Sequence, residues 1–130
     1  MTHDQIIDYC LKKKGAYLDF PFDPDIPVVR VRPPSMDKGR IFAQIFFLKN
    51  EPKVTLNCTP ESAEFYRSIY PGSIVRGWHC PAVQQPHFNT INLDGSVPDE
   101  EILSMIDDAY CVVLAKYPKY IQRELSVNSE

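Results

Sequence analysis

Apolar residues follow a helical period in three segments of the chain and alternate with polar residues in five others. The helical segments cover about residues 2–14, 60–69 and 96–117, and the alternating segments cover 28–32, 40–48, 53–58, 73–76 and 88–93. Links between consecutive strands are too short for the crossovers that parallel strands need. The pattern therefore predicts one α+β domain, with a mostly antiparallel sheet of about five strands packed with three helices.

Local signals set the expected ends of the helices. Thr2 begins a capping-box pattern, and Ser96 is expected to cap the third helix. Pro118 interrupts the third helical pattern, because proline lacks the N–H that a helix interior uses. We therefore expect the domain to cover residues 1–119. Residues 120–130 are expected to form a short tail with at most one loose turn.

Composition narrows the class of protein. The chain has 130 residues, of which 44% are hydrophobic and 24% charged, as in ordinary globular domains. Its 12 prolines, roughly twice the usual share, argue against an all-helical bundle. Three of them lie close together before residue 28 and predict a loop over 19–27.

No apolar run is long enough to span a membrane, and the amino terminus lacks a secretory signal, so we expect a cytoplasmic protein.

Charge is unevenly distributed along the sequence. The net charge of −3 argues mildly against a generic nucleic-acid binder. Residues 26–56 nevertheless carry a local excess of four positive charges, whereas residues 77–115 contain no Lys or Arg and six acids. These charges either form a binding surface or simply solvate exposed faces and a sheet edge.

Catalytic and metal-binding patterns are largely absent from the sequence. There is no P-loop, dinucleotide-binding glycine pattern, nucleophile elbow or zincin motif, so we expect no enzyme activity. His79, Cys80 and His87 are the nearest approach to a metal cluster, but their spacing fits no zinc template and a fourth ligand is missing. We therefore predict no metal and no cofactor.

Two groups of residues are candidates for binding. The first group would contact phosphate or stack on a base, and it consists of Arg30, Arg32, Lys38, Arg40, Lys53, Arg76 and Trp78. The second group would line a ligand site at the loop 77–86, and it consists of His79, His87 and Asn89. For each group a structural role remains open: Trp78 can fill the core, and His87 and Asn89 can fix the loop through backbone hydrogen bonds.

The sequence resembles the MmcQ/YjbR-like family over about residues 1–119. The similarity rests on short segments in a fixed order, namely DFPF at 19–22, YPG at 70–72, GWH at 77–79, HFNT at 87–90, DGSVPDE at 94–100 and LAKYPK at 114–119. The resemblance implies an α+β fold of the type described as CyaY-like or double-wing. It also implies a cytoplasmic, non-enzymatic protein of a family often described as DNA-binding.

The chain departs from the family pattern in two loops. Residues 80–86 are about three residues longer than expected and lack a lysine that the family usually has, and Phe88 replaces a tryptophan. An insertion lies around residues 33–37, whereas Arg40 matches a basic family position.

Our first hypothesis is a protein that binds DNA or other nucleic acid. The alternative is a small-ligand or protein-interaction module that uses the loop 77–86 and the adjacent sheet.

Overall fold

A computed structural model describes residues 1–77 and 80–127. Within these residues the chain forms four α-helices and six β-strands. They are α1 (His3–Leu11), β1 (Ala16–Asp19), β2 (Val28–Val31), β3 (Arg40–Leu48), β4 (Glu51–Asn57), α2 (Pro60–Ile69), β5 (Ile74–Arg76), β6 (Phe88–Asn92), α3 (Asp99–Leu114) and α4 (Lys119–Val127). A short 3₁₀ turn, Gln85–His87, precedes β6. The predicted α+β class is confirmed.

The strands form a single sheet in the order β1-β2-β3-β4-β6-β5, and all strand pairs are antiparallel. The expectation of about five strands was one too few, because β1 lies within a stretch that carries no clear alternation. It is only four residues long, and it lies at the edge of the sheet, where β2 is its partner. A strand this short at a sheet edge leaves little periodic signal.

The helices pack against one face of the sheet. Ala43 pairs with Leu56, and Ile45 pairs with Val54, so these apolar side chains share that face and are buried beneath α1 and α3. Burying apolar side chains of this size supplies the main driving force for folding. The opposite face carries Gln44, Thr55 and Thr90 in register, and the hydroxyls of both threonines are hydrogen-bonded to each other at 2.7 Å.

The carboxyl-terminal segment is a helix rather than a tail. In α4, Ile121 and Leu125 are spaced four residues apart and are buried in the main core. Pro118 precedes this helix and accepts hydrogen bonds from the N–H groups of Ile121 and Gln122. Proline is compatible with a helix start, where its missing N–H costs nothing. The prediction of three helices and a loose terminal turn was therefore wrong in this segment.

The start of α3 also differs from the expectation. The helix begins at Asp99 after Pro98, and Ser96 is not its cap. The N–H and hydroxyl of Ser96 both donate to the Asp94 carboxylate, at 3.0 and 2.6 Å. Because the Ser96 hydroxyl is hydrogen-bonded to Asp94 in this turn, it does not cap an N–H group of α3.

Candidate functional site

The cations predicted to form one binding surface are separated by the topology of the sheet. Arg30 lies on β2 and Arg76 on the edge strand β5, four strands away, which is about 19 Å at the usual strand spacing. Lys53 pairs with Phe46, six residues along β3 from Arg40, or about 20 Å. Of the predicted cations, the four that the structure brings together are those of the β2–β3 hairpin, namely Arg30, Arg32, Lys38 and Arg40.

Arg30 holds the hairpin together from inside. Its side chain is buried, its Nε donates to the Asp19 carboxylate at 2.7 Å, and its guanidinium donates to the Gly39 carbonyl at 2.8 Å. The same hydrogen bond from Arg30 lowers the pKa of Asp19, with a further contribution from the N–H of Phe20. These contacts join β1, β2 and the start of β3, which gives Arg30 a structural role.

Arg32 is also engaged within the hairpin. Its guanidinium donates to the Asp37 carbonyl and lies 4.2 Å from the centre of the Tyr17 ring. The Tyr17 hydroxyl in turn accepts a hydrogen bond from the N–H of Gly39 at 2.8 Å. Together these contacts order the connection between β2 and β3, which carries Lys38 at its end.

Lys38, Arg40 and Lys116 form the accessible positive patch, hereafter the basic surface. All three side chains are exposed, and among the described residues none of them has a carboxylate within ion-pair distance. Arg40 borders two adjoining concavities, one of about 500 Å³ that includes Lys38 and one of about 300 Å³ that includes Lys116. No Asp or Glu is among the described residues that line either concavity.

Sequence reasoning missed Lys116, which follows the end of α3. It is separated from Arg40 by most of the chain, and the only signal was its place in the LAKYPK segment at 114–119. The packing of α3 against β2 and β3 brings it next to the hairpin. Tyr117 then fixes the junction, because its hydroxyl donates to the Val31 carbonyl at 2.7 Å and accepts from the Arg40 N–H at 3.0 Å.

The remaining predicted cations have other surroundings. The Lys53 ammonium group contacts the Asn92 amide oxygen and lies 3.5 Å from the Glu51 carboxylate, and its side chain is largely buried. Arg76 is exposed at the opposite edge of the sheet. Trp78 and His79 lie outside the described residues. A role of these residues in binding stays a prediction.

His87 and Asn89 do not share a cavity. The exposed His87 belongs to the 3₁₀ turn, and its carbonyl accepts a hydrogen bond from the Cys58 N–H at 2.9 Å. Asn89 is fully buried on the helix side of β6, where its amide donates to the Ala63 carbonyl at 3.2 Å and accepts from Arg67 at 2.8 Å. For Asn89 the structure supports the role of anchoring α2 to the sheet.

A separate apolar groove lies between the loop before β6 and the sheet. It has a volume of about 510 Å³ and is bordered by aromatic side chains, among them Phe22, Phe46 and Phe88. Cys80 and Gln84 contribute the wall formed by the loop. Burial raises the pKa of the Cys80 thiol, so this sulfur is protonated at neutral pH.

Within the described part of the chain, no group of three or more His, Cys, Asp or Glu residues is placed to hold a metal ion. All four cysteines are free, and burial raises the pKa of both Cys10 and Cys58 to about 12. No helix among the described residues is both long and apolar enough to cross a bilayer.

Comparison with known proteins identifies the family. The model of the YjbR family matches residues 11–112. The chain is 31% identical over 110 residues to the uncharacterized protein YjbR of Escherichia coli K12, and the alignment covers 85% of each protein. The YjbR protein of Escherichia coli O157:H7 gives the same identity and coverage.

Solved structures share the fold. The crystal structure of Deinococcus radiodurans protein DR2400, a DUF419 domain, has a TM-score of 0.85 and 28% identity, and the match covers 96% of this chain and 88% of that one. A crystal structure of a Pseudomonas syringae protein has a TM-score of 0.68 and 24% identity, with 87% and 99% covered, which supports the fold alone. The extent of the family match and the identity to the curated relatives show that this chain belongs to the YjbR family.

Proposed function

We propose that this protein binds nucleic acid through the basic surface formed by Lys38, Arg40 and Lys116. The observation that supports the proposal is the position of Arg40, which borders two concavities that contain further cations and, among their described lining residues, no carboxylate. Phosphates are bound mainly by Arg and Lys side chains, and such contacts carry no sequence information. The proposed activity is therefore backbone binding without a catalytic step.

The size of the basic surface sets the expected strength of binding. Three cations neutralise about three phosphates, so the logarithm of the binding constant should fall with the logarithm of salt concentration with a slope of about −2 to −3. A chain of net charge −3 offers little additional non-specific attraction.

We also propose a cytoplasmic location, because four free thiols suit a reducing compartment.

Fluorescence anisotropy with a labelled 20-mer, measured between about 20 and 200 mM salt, tests the proposal. We expect the Arg40→Gln/Lys116→Gln double variant to lose most of the binding and most of the salt dependence. The Lys12→Gln/Lys49→Gln double variant removes the same charge from exposed lysines that line neither concavity, and it is expected to bind like the parent protein. Absence of binding at low salt, or equal losses in both variants, would contradict the proposal.

The apolar groove supports a second candidate function, the binding of a small apolar ligand or a protein segment. Its volume of about 510 Å³ falls within the range of ordinary ligand sites. A ligand bound there should raise the melting temperature of the protein by mass action. A Phe46→Ala variant should lose that thermal shift, whereas the Arg40→Gln/Lys116→Gln variant should keep it. A metabolite screen in which no compound stabilises the parent protein would count against this candidate.

A further inference from the structure

The two concavities beside Arg40 differ in chemistry. Besides Lys38, the larger one is lined by Met36, Pro118 and Tyr120, whereas the smaller one is lined by Arg30, Lys116 and Asn57. Both include Gly39 and Arg40, so they are adjacent and share one edge. A concavity with aromatic and aliphatic walls next to a cationic one matches the two halves of a nucleotide, a planar base and a phosphate.

Tyr120 supplies the surface for the base. It lies in the first turn of α4, and 64% of the residue is exposed to solvent, although the helix around it is anchored by the buried residues Ile121 and Leu125. An exposed aromatic ring on a fixed helix, close to Lys and Arg, can stack on a base without ordering a flexible loop first. Because every base has a π face, such a contact is tolerant of sequence.

Arg40 supplies the connection between base and phosphate. Its backbone N–H is held by the Tyr117 hydroxyl at 3.0 Å, and its guanidinium lies 5.5 Å from the centre of the Tyr117 ring. Arg40 lines both concavities, so a ligand that occupied the two together would pass beside it. Lys116 adds a second exposed cation to the lining of the smaller concavity, where its ammonium group can donate to a phosphate.

We propose that this pair of concavities binds an unpaired nucleotide, with its base on Tyr120 and its phosphate between Arg40 and Lys116. The inference rests on the proposed function and narrows it to single-stranded nucleic acid. In a duplex both faces of each base are covered by neighbouring bases, and a side chain reaches them only at the cost of unstacking. Tyr120 lies outside residues 11–112, so the family match does not include it.

The test compares labelled (dT)12, a 12-base-pair duplex and free thymidine monophosphate on the same set of proteins. The parent protein should bind (dT)12 more tightly than the duplex. Tyr120→Ala should weaken binding of (dT)12 by about fivefold or more, the loss expected for one stacked base, and should leave the duplex unaffected. Tyr120→Phe retains the ring and should bind like the parent. Circular dichroism melting confirms that each variant is folded.

The remaining outcomes separate the two proposals. If Arg40→Gln weakens both nucleic acids while Tyr120→Ala weakens neither, the nucleotide site is wrong and the proposed function stands. If neither nucleic acid binds at low salt, both fail. If thymidine monophosphate binds as tightly as (dT)12 and the Tyr120→Ala variant loses both, the site is supported and its ligand is a free nucleotide. Equal binding of duplex and single strand by the parent protein would overturn the inference.

Discussion

The hydroxyl of Tyr117 accepts a hydrogen bond from the backbone N–H of Arg40 at 3.0 Å, while its buried ring lies 5.5 Å from the Arg40 guanidinium. The same hydroxyl donates to the carbonyl of Val31, the strand partner of Arg40. The Tyr117 side chain, which follows α3, thus links β2 to β3 through hydrogen bonds to both strands. It also sets the position of the cation at the centre of the basic surface.

Tyr117→Phe should therefore destabilise the protein by about 1–2 kcal/mol, because the buried Val31 carbonyl and the partly buried Arg40 N–H both lose a hydrogen-bond partner. Urea unfolding followed by circular dichroism measures this change. Tyr120→Phe removes a hydroxyl from an exposed ring and serves as the matched control, with little change expected. Equal stability of the two variants would show that the Tyr117 hydrogen bonds contribute nothing.

The ion pair between Asp19 and Arg30 should make stability depend on pH. The hydrogen bond from Arg30 lowers the pKa of Asp19 in the folded protein, so its stabilising effect is present above the unfolded pKa of about 4 and is lost as the pH falls through the folded value. Unfolding free energies measured between about pH 6 and pH 2.5 should fall less steeply for Asp19→Asn than for the parent protein. Asp8→Asn, on the exposed side of α1, should follow the parent curve.

Asn89 should behave as a structural residue rather than a ligand-binding one. Replacing it with leucine leaves the Ala63 carbonyl and the Arg67 guanidinium without their partner, and we expect a loss of about 2 kcal/mol in unfolding free energy. Affinity for nucleic acid, measured under conditions where the variant is fully folded, should not change. A stable Asn89→Leu variant with altered ligand affinity would contradict this assignment.

Leu125 provides a test of the terminal helix. The residue is almost completely buried in the main core, so Leu125→Ala should cost about 2–4 kcal/mol. Arg123→Ala, an exposed change on the same helix, should have little effect. If both variants unfold at the same urea concentration as the parent protein, α4 does not contribute to the folded core.

The four cysteines should differ in their reactivity with a thiol reagent. Cys111 is exposed and should react first, whereas Cys10 and Cys58 are buried and burial raises their pKa to about 12, so they should react only on unfolding. The time course of reaction with an aromatic disulfide reagent checks this order. Cys111→Ser should abolish the fastest phase, and a fast phase that remains would identify another reactive thiol.

Much of the fold could be predicted because local signals coincide with element ends. The capping box at Thr2 is present in α1, and α2 covers Pro60–Ile69, the segment whose helical period predicts it. The failures have local causes as well. In β1 the alternation is too short to detect, and around Ser96 a side chain suited to a helix cap bonds to Asp94 instead. For α4, Pro118 ends one helical pattern in the sequence, yet its carbonyl accepts the first hydrogen bonds of the next helix.

The candidate site shows a sharper division. The sequence by itself determined that a cluster of cations lies on the β2–β3 hairpin, because neighbours in a hairpin remain neighbours in space. Only the tertiary structure decided which cations face outward. Arg30, for example, is buried because its side chain is hydrogen-bonded to the Asp19 carboxylate and the Gly39 carbonyl. Strand order then separated Arg76 and Lys53 from the hairpin, and helix packing added Lys116 and Tyr120 from the other end of the chain. Contacts between residues far apart in sequence depend on how elements pack, and no local pattern encodes that packing.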